Sequence, residues 1–252
     1  MEGTAVQRRL SFRPRPWQVA TVTGAVGETP SVRTIDLAVP DWPGHRAGQH
    51  LDVRLTAEDG YTAERSYSIA SAPGDPVAIT VERLEDGEVS PYLTEELRIG
   101  DQLELRGPVG GYFVWEATDA GPLLLVAGGS GIVPLRAIIR ERQRSGGDAS
   151  IRLLYSSRTL ADVIYRDELD AYRYGIAVRY TLTRAQPPGW TGYAGRVNSA
   201  LLAEVAWPAH KDPLAFVCGP TSFVETVAEG LVELGYQPNR VKTERFGASG
   251  GR

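Results

Sequence analysis

Residues 122–134 read PLLLVAGGSGIVP. Leu123 to Ala127 form an unbroken apolar run, which suits a strand buried on both faces rather than one with a wet side. The run stops at glycine, and residues 135–145, LRAIIRERQRS, then have helical spacing. A buried strand feeding a helix is one half of a parallel β-α-β unit, and the downstream sequence repeats the rhythm. IRLLYSS (151–157), IAVRYTLTR (176–184), LAFVCGP (214–220) and RVKTERF (240–246) read as further strands, five in all. Between them ADVIYRDELDAY (161–172) reads as a helix, and VNSALLAEV (197–205) as a short helix capped by Asn198 or Ser199. TSFVETVAEGLVELG (221–235) places Phe223, Val227, Leu231 and Leu234 on one stripe, with Gly235 as its stop.

Upstream of residue 115 the period changes to two. WQVATVTGAV (17–26), SVRTIDLAV (31–39), QHLDVRLT (49–56), RSYSIAS (65–71), VAITVERL (77–84) and DQLELRG (101–107) alternate apolar and polar residues between Gly-, Pro- and Asp-rich breaks. Short strands at this spacing indicate an antiparallel barrel or sandwich. SPYLTEEL (90–97) breaks the alternation and could be a single short bridging helix. The change of period puts a domain boundary at residues 115–120, dividing the chain into residues 17–116 and 117–252. Residues 1–16 read as a flexible arm, with Arg8, Arg9, Arg13 and Arg15 interrupted by Pro14 and Pro16: a tail, or a patch that steers an acidic partner.

The bulk numbers narrow the function classes. A net charge of −4 gives no basic face for nucleic acid. No apolar run approaches the ~20 residues of a membrane span. No stretch of the N-terminus suits a signal peptide, so a cytoplasmic setting is the expectation. The single cysteine, Cys218, cannot form an internal disulfide or an iron–sulfur cluster. His45, His50 and His210 read as scattered surface or half-buried residues, and no metal site is expected.

Ligands of a parallel sheet bind beyond the C-terminal ends of its strands. Gly128, Gly129, Ser130 and Gly131 sit at such an end and open a helix, where backbone can approach a pyrophosphate. Ser157 and Arg158 follow the second strand and Arg184 the third, where a dinucleotide's adenosine ribose would lie. Hydroxyl and guanidinium groups suit a 2′-phosphate, whereas Asp162 nearby would suit a 2′-hydroxyl. Cys218, Gly219 and Pro220 end the fourth strand, where the thiol could meet a reacting ring or be a small buried hydrophobe.

In the first half, Arg65, Tyr67 and Ser68 share one strand. They offer a cation for a phosphate, a flat ring for packing and a hydroxyl for hydrogen bonding. The segment Gly87-Glu88-Val89-Ser90 presents backbone N–H groups ahead of the predicted short helix, a second phosphate cradle.

Taken together, RxYS at residues 65–68, the glycine-to-serine loop at 87–90, GGxGIxP at 128–134 and CGP at 218–220 resemble, in order and spacing, the ferredoxin–NADP reductase family of flavoproteins. The resemblance covers about residues 17–247. It implies a β-barrel FAD domain followed by a Rossmann-like α/β domain for NADP(H) or NAD(H). It implies that Tyr67 and Ser68 contact the isoalloxazine and that Arg65, Gly87, Val89 and Ser90 hold the FAD pyrophosphate. Val81 and Arg83 would line the ribityl side, and Gly129, Ser130 and Gly131 would meet the nicotinamide nucleotide's pyrophosphate. Cys218 and Glu244 would flank the site of hydride transfer beside Ser68, and Phe246 would cover the flavin. In plant-type members that aromatic is the last residue; here GASGGR follows it. With no second redox centre, the implied partner is a separate electron acceptor: ferredoxin, flavodoxin, an oxygenase component or a small molecule. Rival readings are a quinone or free-flavin reductase, and a flavin-binding electron-transfer or regulatory subunit of a larger complex. FMN is the alternative to FAD.

Overall fold

A computed structural model describes residues 15–119 and 121–246. The arm before Arg15 and the segment 247–252 lie outside the described residues.

The first half forms six antiparallel strands: β1 Gln18–Thr29, β2 Val32–Ala38, β3 His50–Thr56, β4 Thr62–Ser68, β5 Val77–Glu82 and β6 Gln102–Val109. Their order is β4-β3-β6-β1-β2-β5. The two outer strands meet where Ile69 bridges Ile79 and the Ala70 N–H donates to the Ala78 carbonyl at 2.7 Å, so the sheet closes into a barrel rather than a sandwich. Period-two alternation points Val22, Ile35, Leu51, Val53 and Leu105 inward, all at most 1% exposed. Strand β5 departs from the alternation: every residue from Val77 to Val81 is buried. Its outer face is covered by the second half of the chain, and Thr80 there accepts a hydrogen bond from Tyr165. The bridging helix is a single wide turn, Tyr92–Glu96, with Leu93 and Leu97 in the barrel core. Arg33 satisfies one of its free carbonyls, Leu97 O, at 2.9 Å.

The second half is a parallel sheet: β7 Leu123–Gly128, β8 Ile151–Ser157, β9 Ile176–Leu182, β10 Tyr193–Ala194, β11 Leu214–Pro220 and β12 Val241–Phe246, in the order β10-β9-β8-β7-β11-β12. The sixth strand, β10, was not expected; two residues are too few to show a period, and only their pairing with Thr181 and Leu182 defines them. Helices α1 Ile132–Arg144 and α2 Arg166–Ala171 cover one face, and α3 Ser199–Val205 and α4 Thr221–Glu233 the other. Every residue of β7 is buried: Leu123, Leu125 and Ala127 pack with α1 and α2, while Leu124 and Val126 pack with α3 and α4. Each such leucine contributes roughly 1.5–3 kcal/mol.

Asn198 is the cap of α3, its Oδ1 accepting from the Leu201 N–H at 2.9 Å. Gly235 ends α4's last turn with φ +92°. The helix expected over 161–172 is broken. One turn, Leu160–Asp162, is followed by Tyr165 at φ +60°, and α2 begins only at Arg166. The break lets the Tyr165 ring swing onto the barrel.

The halves pack directly. Phe113 meets Phe216 edge-on with centroids 5.2 Å apart, and Lys242 Nζ donates to the Val114 carbonyl at 2.7 Å.

Candidate functional site

The seam between the halves gathers side chains from four strands. Parallel pairing sets Cys218 beside Ala127 and Glu244 beside Cys218 at the C-terminal end of the second sheet. Antiparallel pairing sets His50 opposite Ser68 at the end of the barrel. The two ends face each other: His50 Nδ1 lies 3.7 Å from Glu244 Oε1, and Cys218 Sγ lies 3.8 Å from Glu244 Oε2.

Burial dominates the electrostatics. It pushes the Glu244 carboxyl up to about 7, partly offset by the Cys218 contact, and it lowers His50, partly offset by Asp52. Both shifts favour the uncharged forms. Cys218 is fully buried, and burial followed by the charge of Glu244 raises its thiol well above the ordinary range. It is therefore a thiol in the sheet core, not a nucleophilic thiolate. His45 departs from the expectation of surface or half-buried histidines: it is 8% exposed, and its Nδ1 accepts from Trp42 Nε1–H at 3.2 Å. His50 is half-buried, as expected, but sits within the candidate site. Nothing in its sequence neighbourhood announces it; only strand pairing brings it opposite Ser68 and against Glu244.

Ser68 is 6% exposed, and its Oγ has no hydrogen-bond partner among the described residues. A buried hydroxyl without a partner costs about 1–3 kcal/mol. That orphan beside the half-buried ring of Tyr67 suits a flat heteroaromatic group, which would supply the missing bond. Burial also raises the Tyr67 hydroxyl, keeping it protonated. The flavin-type residues therefore fit the group that the motifs imply.

Arg65 and Arg83 are not free cations. Arg65 pairs with Glu88 at 2.6 Å, and Glu88 also accepts from Tyr61 at 2.7 Å; Arg83 pairs with Glu95. The loop around Gly87 is a tight turn. The Gly87 N–H donates to Leu84 O at 2.9 Å, and a Cβ on Gly87 would lie 2.8 Å from Ser90 Oγ. Ser90 Oγ in turn accepts from the Leu84 N–H at 3.0 Å. Val81 and Val89 are wholly buried in the barrel core, so only their backbone could meet a ligand.

In the second sheet, Gly129 takes φ +56°, and a Cβ at Gly131 would fall 2.1 Å from Cys218 O. Chain packing alone thus demands glycine at Gly131, before any phosphate is considered. Gly219 and Pro220 finish β11, and Pro220 leads into α4. Phe246, the last residue of β12, pairs with Pro220 and packs partly buried against the cluster that holds Cys218.

Around the outer strand ends, the Arg184 N–H donates to Arg158 O at 2.9 Å, which sets the two loops side by side. Neither guanidinium has an ion-pair partner among the described residues. Ser157 is the last residue of β8 and is 5% exposed. Asp162, the competing candidate, is committed elsewhere: its Oδ2 accepts from Thr159 N–H at 3.0 Å and from Thr159 Oγ1 at 2.7 Å.

Comparison with known proteins assigns the two halves to known domains. Residues 21–114 match an oxidoreductase FAD-binding domain, and residues 125–229 match an oxidoreductase NAD-binding domain. Ferredoxin–NADP reductase B of Sorangium cellulosum is 38% identical over 210 residues, covering 79% of this chain and 84% of that protein. The chain belongs to the ferredoxin–NADP reductase-like family of FAD- and NAD-binding oxidoreductases.

Other members of this ferredoxin–NADP reductase-like family are longer. The glycine betaine monooxygenase reductase subunit of Chromohalobacter salexigens is 32% identical over 81% of this chain, which covers 56% of that protein. The ferredoxin reductase component of 3-ketosteroid-9-alpha-monooxygenase of Rhodococcus rhodochrous is 33% identical over 92% of this chain, which covers 66% of it. The chain thus spans between half and two thirds of these relatives. Among solved structures, the FAD/NAD-binding domain of a Vibrio cholerae nitric oxide dioxygenase superposes with a TM-score of 0.82 at 24% identity, covering 93% of this chain and all of that one. It shares the two-domain fold. Among the described residues, no helix is long and apolar enough to cross a membrane.

Proposed function

We propose that this chain is an FAD-dependent reductase that takes a hydride from NADPH in preference to NADH and passes the electrons to a separate acceptor. The observation that carries the reading is the meeting at the seam. The orphaned Ser68 hydroxyl and His50 of the barrel face Glu244 and Cys218 of the nucleotide-binding sheet. In this reading the boundary falls between residues 116 and 117, so that each side of the seam belongs to one domain.

FAD bound there would supply the chemistry, accepting two electrons as hydride and releasing them together or singly. The chain's own residues do the rest. Ser68 donates to the flavin ring, and Tyr67 packs against it. Arg65 exchanges Glu88 for the pyrophosphate, joined by backbone of Gly87, Val89 and Ser90, with Val81 and Arg83 on the ribityl side. Gly129, Ser130 and Gly131 take the nucleotide's pyrophosphate at the start of α1. Gly219, Pro220 and Phe246 close the nicotinamide side. Glu244, desolvated and near neutrality, holds or releases a proton at its carboxyl beside the ring; burial favours the protonated form, and the contact with the Cys218 thiol draws it back toward the ionised one.

NADPH preference rests on Ser157, Arg158 and Arg184, which meet a 2′-phosphate with cations that need no internal partner displaced, while Asp162 is already taken. The acceptor class follows the relatives, several of which are named as reductase components of oxygenases. Ferredoxin, flavodoxin, an oxygenase component and small molecules all fit, and a cytoplasmic setting suits the single buried thiol.

Anaerobic titration of purified protein with NADPH and NADH tests the reading. Bleaching of a flavin spectrum, at lower concentrations of NADPH than of NADH, is expected. A colourless protein that releases no flavin on heating overturns it.

A further inference from the structure

A second polar system crosses the seam, away from Ser68 and Glu244. Tyr165 is 4% exposed, and its hydroxyl donates to Thr80 on β5. Thr80 and Thr34 share a hydrogen bond of 2.8 Å, and Thr34 donates to Glu28 at 2.6 Å, so the chain of bonds runs into the barrel wall. On the other side, the Arg136 guanidinium lies 4.0 Å over the Tyr165 ring and pairs with Glu168 at 2.8 Å. Tyr165 reaches Thr80 from a left-handed backbone, φ +60°, which a residue with a Cβ disfavours. The surrounding contacts thus hold it in a conformation it would not choose alone.

The placement of these residues links the two candidate ligand sites. Arg136 is on α1, one turn after the Gly129–Gly131 loop. The helix then lays Arg144 on the barrel segment that follows Ser68, donating to Pro73 O and pairing with Asp75 at 2.6 Å. Arg136 itself reaches Ala70 O at 3.5 Å. The nucleotide loop and the flavin strand are therefore each a few residues from the same cross-domain contact.

We propose that Tyr165, braced by Arg136, is a positioning residue for hydride transfer: its bond to Thr80 fixes the distance between the nucleotide loop and strand β4 without touching either cofactor. Near-attack geometry tolerates little displacement, since a shift of about 1 Å can cost 10²-fold in rate. The proposal rests on the reductase reading above.

The test uses Tyr165→Phe, Thr80→Val and the double variant of the flavin-loaded protein, with Thr80→Ser as the conservative control. Stopped-flow reduction at saturating NADPH is expected to slow roughly tenfold in each single variant. The double should be no slower than either single, and Thr80→Ser should retain the parent rate. The Michaelis constant for NADPH, the flavin content and reoxidation by ferricyanide should stay within about twofold of the parent. Amide exchange at Ala70 and Ala78, whose N–H groups bond Ala78 O and Ser71 Oγ, should quicken in Tyr165→Phe and Thr80→Val. Unchanged reduction rates, additive losses in the double, or slowing explained by lost flavin would overturn the proposal. If the parent protein is not reduced by either nicotinamide, the reductase reading fails. Amide exchange then decides the contact by itself, and unchanged exchange at Ala70 and Ala78 would overturn it.

Discussion

Two carboxylates, one between α1 and α2 and one at the seam, have nearly the same exposure and opposite chemistry. The Glu168 side chain is 24% exposed and that of Glu244 is 20% exposed. Burial pushes both carboxyls up. At Glu168, hydrogen bonds from Arg140, Arg136 and Tyr172 outweigh that push and hold it at about 2. At Glu244 the partners are a neutral thiol and a histidine whose own charge is disfavoured, so the carboxyl stays at about 7. Exposure therefore does not decide whether a buried acid is a fastener or a reactive group; the partners' charge does. The first carboxylate stabilises the contact between α1 and α2, and the second leaves a group able to change protonation near neutral pH.

The largest effect that would break this contrast is on stability against pH. Glu244 is protonated in the native state below about 7 but ionises near 4.5 when unfolded. Its contribution is thus full below pH 4.5 and is lost as pH rises to about 7, on the order of 3 kcal/mol. Glu168 has the opposite sign: its contribution is present above pH 4.5 and lost as pH falls toward 2. Denaturant melts across this range should lose the neutral-side slope in Glu244→Gln and the acid-side slope in Glu168→Gln. A single variant that removes both slopes would show that the two sites are one coupled system.

Next in size is the chemical step. Ser68→Ala should slow flavin reduction by about 10- to 100-fold, the worth of one bond from a buried hydroxyl. Rapid mixing with NADPH measures it, and a parent-like rate would remove Ser68 from the site. Arg158→Ala should raise the Michaelis constant for NADPH about tenfold and leave that for NADH unchanged, since only one of them carries the 2′-phosphate. Equal changes for both nucleotides would assign Arg158 to the shared part of the molecule. The smallest effect sharpens the contrast on the flavin side. Glu88 competes with any phosphate for Arg65, so Glu88→Gln should lower the dissociation constant for FAD about threefold, the scale of one exposed ion pair. Fluorescence titration of the flavin-free protein reads it.

Much of the fold was legible because its signals are local. The apolar run at Leu123–Ala127, the period of two before residue 115, the cap at Asn198 and the stop at Gly235 each need only neighbours in the chain. What escaped was set by distant contacts. The segment 161–172 has helical spacing, yet Tyr165 breaks it to reach Thr80, 85 residues away in sequence. Strand β5 carries polar Thr80 in a wholly buried stretch because the other domain covers it. The site divides the same way. Ser68 and Cys218 lie in motifs and Glu244 follows from the family resemblance, but His50 could not be named in either way, because pairing between β3 and β4 is what brings it opposite Ser68.

The sequence by itself determined the two architectures, the glycine loops that end their strands and the family to which they belong, since period and turn chemistry are properties of neighbouring residues. Only the tertiary structure decided which charges are already spent. Arg65 and Arg83 are paired, Asp162 is bound to Thr159, Arg158 and Arg184 stand without ion pairs among the described residues, and Glu168 and Glu244 titrate on opposite sides of the ordinary range. Charge and burial are set by whatever the fold places within a few ångströms, and no local pattern encodes that.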